Sequence, residues 1–133
     1  MACRCGPRPG DEVIKYVAGC IKQRVKGSGF AGRFGGDEFV LCITDPKQIE
    51  EIESLSLDLI DELYEGYHSE LANVSINVKA SIGIAFFPEH GDDSDKIVAA
   101  ADEAMYFVKK NGKANYHIYQ PEDSQIADLQ HTL

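Results

Sequence analysis

Between Val74 and Ile84 apolar and polar residues alternate without a break, with Val74, Ile76, Val78, Ala80, Ile82 and Ile84 set against Ser75, Asn77, Lys79, Ser81 and Gly83. Successive side chains of an extended chain point to opposite faces, so this stretch predicts one strand with one buried side. A strand needs partners for its backbone amides and carbonyls, and a hairpin elsewhere in the chain offers them. Gly29 to Phe34 and Phe39 to Ile43 are short apolar runs on either side of Gly35-Gly36-Asp37-Glu38. Adjacent glycines predict a turn that uses positive φ. In the second arm Phe39, Leu41 and Ile43 alternate with Val40, Cys42 and Thr44, so both faces are largely apolar. That predicts a strand covered on both sides.

Helical periodicity supplies the packing layer. Val13, Ile14, Val17, Ala18, Ile21 and Val25 recur on one face, opposite Glu12, Lys15, Gln23 and Arg24, with Asp11 as N-cap candidate and Gly27 as the stop. Thr44-Asp45-Pro46 has the chemistry of a helix start, and the helix is expected to run to about Tyr64. Its buried face is Ile49, Ile52, Leu55, Leu59, Ile60 and Leu63, and its acids form a solvated face. A polar connection from Gly66 to Asn73 leads into the alternating strand. A third helix is expected over about 94–111, burying Ile97, Val98, Ala101, Ala104, Met105 and Val108, with Asn111-Gly112 as its stop. Tyr116 to Tyr119 reads as a last short strand. Residues 1–9 read as an irregular lead-in, 10–119 as the domain and 120–133 as a polar tail. The fold class is therefore α+β, an antiparallel-rich sheet with helices packed on one side. Such a layout accommodates a palm-like nucleotidyl-transfer domain and many binding modules alike.

Composition narrows the partners. At 133 residues there is room for one domain with a real core. A net charge of −9 argues against non-specific nucleic-acid binding. It leaves a nucleotide substrate possible, because a divalent cation and a few lysines reverse the sign locally. Cys3, Cys5, Cys20 and Cys42 show no zinc-site spacing and no disulfide pattern, which fits a reducing compartment. No apolar run is long enough to span a bilayer and no leader opens the chain, so a cytoplasmic protein without membrane contact is expected.

The stretch Arg33-Phe34-Gly35-Gly36-Asp37-Glu38-Phe39-Val40 resembles the signature of the GGDEF family, the diguanylate cyclases. Ser81-Ile82-Gly83-Ile84-Ala85 is similar to the family's S-x-G-I-A strand. Ala101-Asp102-Glu103-Ala104-Met105-Tyr106-Phe107-Val108-Lys109 is similar to its A-D-x-A-M-Y-x-A-K helix, and Lys109-Lys110-Asn111-Gly112-Lys113 to its K-x-x-G-K/R element. Gly10-Asp11 matches the G-D that opens the family's second helix, with Gly6 where that motif begins. The likeness runs over about residues 6–119.

The resemblance implies a palm-like, nucleotide-cyclase-type fold and a nucleotidyltransferase that condenses two GTP into cyclic di-GMP, each domain of a homodimer holding one GTP. It implies Mg²⁺ or Mn²⁺ on Asp37, with Glu38 as a second ligand or as base for the attacking hydroxyl, and a sensory or regulatory domain outside this chain. Gly35 and Gly36 would let the backbone approach the nucleotide, and Lys109 and Lys113, four residues apart, would face one phosphate tail. Asp11 would accept from guanine N1 and N2 hydrogens, its other role being a plain helix cap. Arg33 would support the turn or a phosphate, with a surface ion pair as the alternative. The departures lie at the start. The family places a strand carrying a D-x-D-x-F-K-x-x-N-D segment before its second helix; its Asn position falls on Ala2 and its metal Asp lies before Met1, so the chain resembles a domain lacking the family's first strand and helix. The histidine of G-H-x-x-G-D is Pro7, and the Asn of G-K/R-N is Ala114. An Arg-x-x-Asp inhibitory site would fall on Lys26 and Gly29, so none is expected. The alternative function is a degenerate module that binds GTP or cyclic di-GMP, or only dimerises, without turnover.

Overall fold

The structure is a computed structural model that describes residues 1–5, 10–111 and 115–123. Its elements are β1 (Ala2–Cys5), α1 (Asp11–Val25), β2 (Gly29–Arg33), β3 (Glu38–Ile43), α2 (Ile49–Glu65), β4 (Tyr67–Ser69), β5 (Val74–Ile76), β6 (Ala80–Ile84), α3 (Ser94–Lys110) and β7 (Asn115–Ile118). Five strands form one sheet in the order β2-β3-β1-β6-β7, and β4 and β5 form a separate pair. Every pairing is antiparallel except β6 with β7, which α3 joins by a crossover.

The lead-in expected over residues 1–9 is corrected at its most consequential point, because Ala2–Cys5 is the central strand. Cys3 pairs with Phe39 of β3 on one side and with Ile82 of β6 on the other. Ala2 and Cys3 are fully buried. Two flanking strands with unmet amides and carbonyls impose extended structure on any short segment between them. Here the segment is small enough to enter.

Helices cover both faces of the sheet, not one. Cys3, Phe39, Leu41, Ile82 and Ile84 point to α1 and α2, where they meet Ile14, Val17, Ile21, Leu59 and Leu63 in the main core. Ala2 and Ala85 point the other way, to Ala101 and Met105 of α3. In the sequence Ser81 and Gly83 fall on the polar side of the alternation. They are small because α3 lies on them: a Cβ on Gly83 would sit 1.9 Å from the Ala101 carbonyl oxygen.

The long strand expected over 74–84 is two strands in two sheets. Val78 N donates to the Leu63 carbonyl (2.8 Å), and Asn77 Nδ2 donates to the Tyr64 carbonyl (2.6 Å). Residues 77–79 thus bond to the end of α2 while the chain steps from the β4–β5 pair to the main sheet. The expected polar connection 66–73 contains β4 for the same reason. β3 is also corrected: Phe39 and Leu41 are buried, whereas Cys42 on the opposite face is exposed. Helix α2 starts at Ile49, not at Asp45-Pro46. Asp45 takes φ 57°, and Thr44 is tied back to the Ser28 carbonyl by its amide (2.8 Å) and its hydroxyl (3.1 Å). Left-handed backbone at Asp45 cannot begin an α-helix, and Ile49 is accordingly half exposed, at 51%. Asp11 is not the N-cap of α1. Gly10 is, without a side-chain bond, and Asp11 is the first helical residue.

Met1 extends the central ladder, its ammonium donating to the Leu41 carbonyl (2.6 Å) and its carbonyl accepting from Leu41 N (2.7 Å). Burial lowers this ammonium from its ordinary 8.0 to about 6. The folded chain then binds the proton more weakly than the unfolded one. Folding is penalised below pH 6 and the penalty is relieved as pH rises to 8, by about 2–3 kcal/mol in all. Urea unfolding at pH 6, 7 and 8 is expected to follow that rise, and N-terminal acetylation is expected to flatten it. An unmodified chain with no slope would refute the buried charge.

Candidate functional site

Strand directions decide which parts of the sequence meet. β1 runs antiparallel to both neighbours, so Arg4 stands opposite Glu38 on one side and Ser81 on the other, and Ser81 stands opposite Asn115. This row is one end of the sheet. The signature turn enters it before Glu38, α1 begins after β1 leaves it, and α3 finishes before β7 starts there. The topology therefore brings Gly35, Gly36, Asp37 and Glu38, the first turn of α1 with Asp11, and the last turn of α3 with Lys109 to one edge. Asp11 and Lys109 are exposed, and Asp37 and Glu38 are half-buried. Lys113, Gly112, Ala114, Gly6 and Pro7 lie outside the described residues.

The turn itself is fastened from two directions. Phe34 N and Gly35 N both donate to the Glu38 carbonyl, at 2.8 and 3.3 Å. Arg33 reaches round the loop, Nε donating to the Gly35 carbonyl (3.0 Å) and Nη2 to the Gly36 carbonyl (2.8 Å). Of the roles open to Arg33, support of the turn is the one these bonds make. A trans peptide sets its N–H opposite its C=O. With both glycine carbonyls turned to the guanidinium, the amides of Gly36 and Asp37 are turned away from it.

The glycines are not there for the reason the sequence suggests. The positive-φ glycines among the described residues are Gly27 and Gly66, so neither Gly35 nor Gly36 uses left-handed backbone. Nor does packing within the domain demand them, since a Cβ on either would meet nothing within 4 Å. Open space over an Arg-clamped backbone is a surface on which something else can lie close.

Two consecutive carboxylates are a small donor set. Among the described residues no group of three or more His, Cys, Asp and Glu is gathered closely enough to hold a metal. Mg²⁺ usually takes only one or two carboxylates and completes its shell with water and phosphate oxygens. Asp37 and Glu38 fit a cation that arrives with a polyphosphate better than a cation held by protein alone. The central strand, Ala2-Cys3-Arg4-Cys5, adds no acid to the row.

Behind α1 the structure reveals a tie that the sequence does not. Glu12, expected on the solvent side, is half-buried. Its carboxylate accepts from the hydroxyl of Ser69 in β4, with Ser69 Oγ 2.9 and 2.8 Å from its two oxygens. At the opposite end of the sheet lies a cavity of about 610 Å³, lined mainly by apolar side chains such as Val40, Phe30, Phe86, Phe87 and Ile97. It is remote from the signature turn. No helix of the described residues is long and apolar enough to cross a membrane.

Known proteins resemble this chain in sequence and in fold. The family described as "Diguanylate cyclase, GGDEF domain" matches residues 3–115. The signaling protein YkoW of Bacillus subtilis is 30% identical over 115 residues, 86% of this chain and 14% of its own. The bifunctional diguanylate cyclase/cyclic di-GMP phosphodiesterase MucR of Pseudomonas aeruginosa is 31% identical over 128 residues, 96% of this chain and 18% of its own. The chain thus spans under a fifth of either relative. A solved structure of the Pseudomonas aeruginosa protein YfiN, comprising only its GGDEF domain, superposes with a TM-score of 0.83 at 22% identity, covering 96% of this chain and 81% of that one. From the signature turn, the assembled sheet edge and the family match together, the chain belongs to the GGDEF, or diguanylate cyclase, domain family.

Proposed function

We propose that this domain holds GTP at the signature turn together with Mg²⁺, and that these 133 residues by themselves bind the nucleotide without turning it over. The observation that carries the reading is the pair of glycines which neither backbone angle nor internal packing requires. In this reading the phosphates lie on the amides of Gly36 and Asp37, Asp37 and Glu38 hold the cation, and Lys109 and Lys113 neutralise the phosphate tail. Asp11 accepts from the guanine edge, which adenine cannot satisfy. Mn²⁺ is expected to substitute for Mg²⁺.

The cyclase reaction is the second reading, and family membership favours it. Two domains would meet as a homodimer, the 3′-hydroxyl of one GTP attacking the α-phosphorus of the other and expelling pyrophosphate, twice, to give cyclic di-GMP. A bound cation would supply charge stabilisation to the phosphates and make the hydroxyl more acidic. Glu38 would hold the departing proton. The absence of any acid from β1, directly beside Glu38, is what favours binding alone.

Incubation with GTP and Mg²⁺, followed by chromatography for cyclic di-GMP and calorimetry for binding, tests both. Mg²⁺-dependent binding without product supports the first reading, and product that vanishes in Asp37→Ala replaces it with the second. A chain that neither binds nor reacts refutes both. The glycines give a sharper check. Gly36→Ala is expected to leave the melting temperature unchanged, as open-space surface changes do, while GTP affinity falls by about tenfold or more because the added methyl stands where a phosphate must approach. A variant with wild-type affinity would remove the reason for placing the nucleotide here.

A further inference from the structure

The β4–β5 pair is small, lies outside the main sheet and contributes no residue to the signature edge, yet it is tied to α1 with unusual care. Gly66 turns the chain out of α2 with φ 72°, and a Cβ there would sit 1.7 Å from the Ile76 carbonyl oxygen. β4 then runs straight to α1. Ser69 is fully buried; its hydroxyl donates to the Glu12 carboxylate and accepts from Ala72 N (3.2 Å), so both of its roles are used. Tyr67, two residues earlier on β4, lays its ring against Tyr16 with centroids 4.4 Å apart. Glu12 and Tyr16 are one helical turn apart and so share a face of α1. The Tyr16 hydroxyl lies within hydrogen-bond distance of the Glu62 and Gly66 carbonyls, at 3.2 and 3.1 Å, which joins the same face to the end of α2.

The tie falls on the residue next to Asp11. Gly10, the N-cap of α1, has no side chain to bond the first turn, and its carbonyl accepts from Ile14 N (3.1 Å). A charge-assisted hydrogen bond is worth more than a neutral one, and this part-buried one spans 57 residues of sequence. We infer that Ser69 is a positioning residue: through Glu12 it fixes the first turn of α1 and thereby aims Asp11 at the guanine edge. This deepens the nucleotide reading above and rests on it. The β4–β5 pair is then a brace for base recognition, acting without touching the nucleotide.

Inosine triphosphate lacks the 2-amino group of GTP and keeps the rest, so the affinity ratio of the two reports the Asp11 contact. The wild-type chain is expected to prefer GTP by about tenfold, the value of one well-placed hydrogen bond to a charged group. Ser69→Ala is expected to reduce that ratio to near one, and Ser69→Thr, which keeps the hydroxyl, to restore it. Glu12→Ala removes the same tie from a half-buried position and is expected to match Ser69→Ala. Ser56→Ala is the control for stability alone. Ser56 is also fully buried, its hydroxyl donates to the Ile52 carbonyl (2.7 Å) within α2, and the ratio should not move. A preference that survives in both Ser69→Ala and Glu12→Ala overturns the brace and leaves the nucleotide reading standing. A wild-type chain that holds GTP and inosine triphosphate equally overturns the Asp11 contact and the brace together. One that binds neither overturns the nucleotide reading and all that rests on it.

Discussion

Asp37→Ala is expected to abolish Mg²⁺-dependent retention of GTP, with a loss of about 100-fold or more, while the turn itself stays closed. The two halves of that expectation have separate causes. The turn is closed by main-chain bonds to the Glu38 carbonyl and by the Arg33 guanidinium on the glycine carbonyls. These main-chain and Arg33 bonds remain when the Asp37 carboxylate is removed. The carboxylate itself is one of only two acids in the turn, and a hard cation bound through so few protein oxygens cannot lose one of them lightly. A 100-fold loss corresponds to about 2.8 kcal/mol, within the range for a charged ligand group. Calorimetric titration of GTP with and without Mg²⁺ gives the answer directly. Equal Mg²⁺-dependent affinity in the variant would move the cation away from this turn.

The largest expected change in stability comes from Gly83→Ala, a single methyl in the middle of β6. Its Cβ would lie 1.9 Å from the Ala101 carbonyl oxygen, 2.3 Å from Met105 N and 2.9 Å from Met105 Cα. All three are helix backbone, which cannot swing aside as a side chain can. To admit the methyl, α3 must rise off the sheet, and Ala2, Ala101 and Met105 lose their packing together. Overpacking usually costs about 1–3 kcal/mol, and rigid neighbours put this case at about 3 kcal/mol or above. For a domain of this size the melting temperature should fall by about 10 °C or more. Because α3 also carries Lys109 to the signature edge, GTP affinity should weaken in the same variant. A melting curve that does not move would mean that the helix does not sit on β6 as closely as described. The contrast with Gly36→Ala is the instructive one: one glycine is required by the fold, and the other only by what lies on it.

The parts of this arrangement that were legible in the sequence are those encoded by side chains along one element. The buried face of α1, from Ile14 through Val17 and Ile21 to Val25, follows its helical periodicity. So do the buried Ile52, Leu59, Ile60 and Leu63 of α2. The alternation over 74–84 correctly gives Val78, Ala80, Ile82 and Ile84 as buried. It does not give the break at 77–79, because alternation encodes which side is covered and says nothing of which strand is the partner. β1 was invisible for a related reason. Ala-Cys-Arg-Cys is too short to show a period, and its extended state is conferred by β3 and β6. At the site, the adjacent Gly35 and Gly36 predict left-handed backbone, which they do not have. What they supply is clearance. Glu12 was readable as a polar residue, but its bond to Ser69 is a tertiary contact that no local pattern announces.

The central position of β1 also gives the molecule an internal clock. Cys3 lies in the middle of the main sheet with none of its surface exposed, Cys20 is buried between helices, and Cys42 is on the surface. Burial and the neighbouring Glu62 push the Cys20 thiol up to about 11, which suppresses the reactive thiolate further. An alkylating reagent therefore labels Cys42 in the native molecule and must wait for opening events to reach Cys3 and Cys20. Followed by peptide mapping, Cys20 times the parting of α1 from its neighbours, and Cys3 times the withdrawal of the first strand. The two rates separate loosening of the helical layer from loss of the sheet, without adding a label anywhere in the chain.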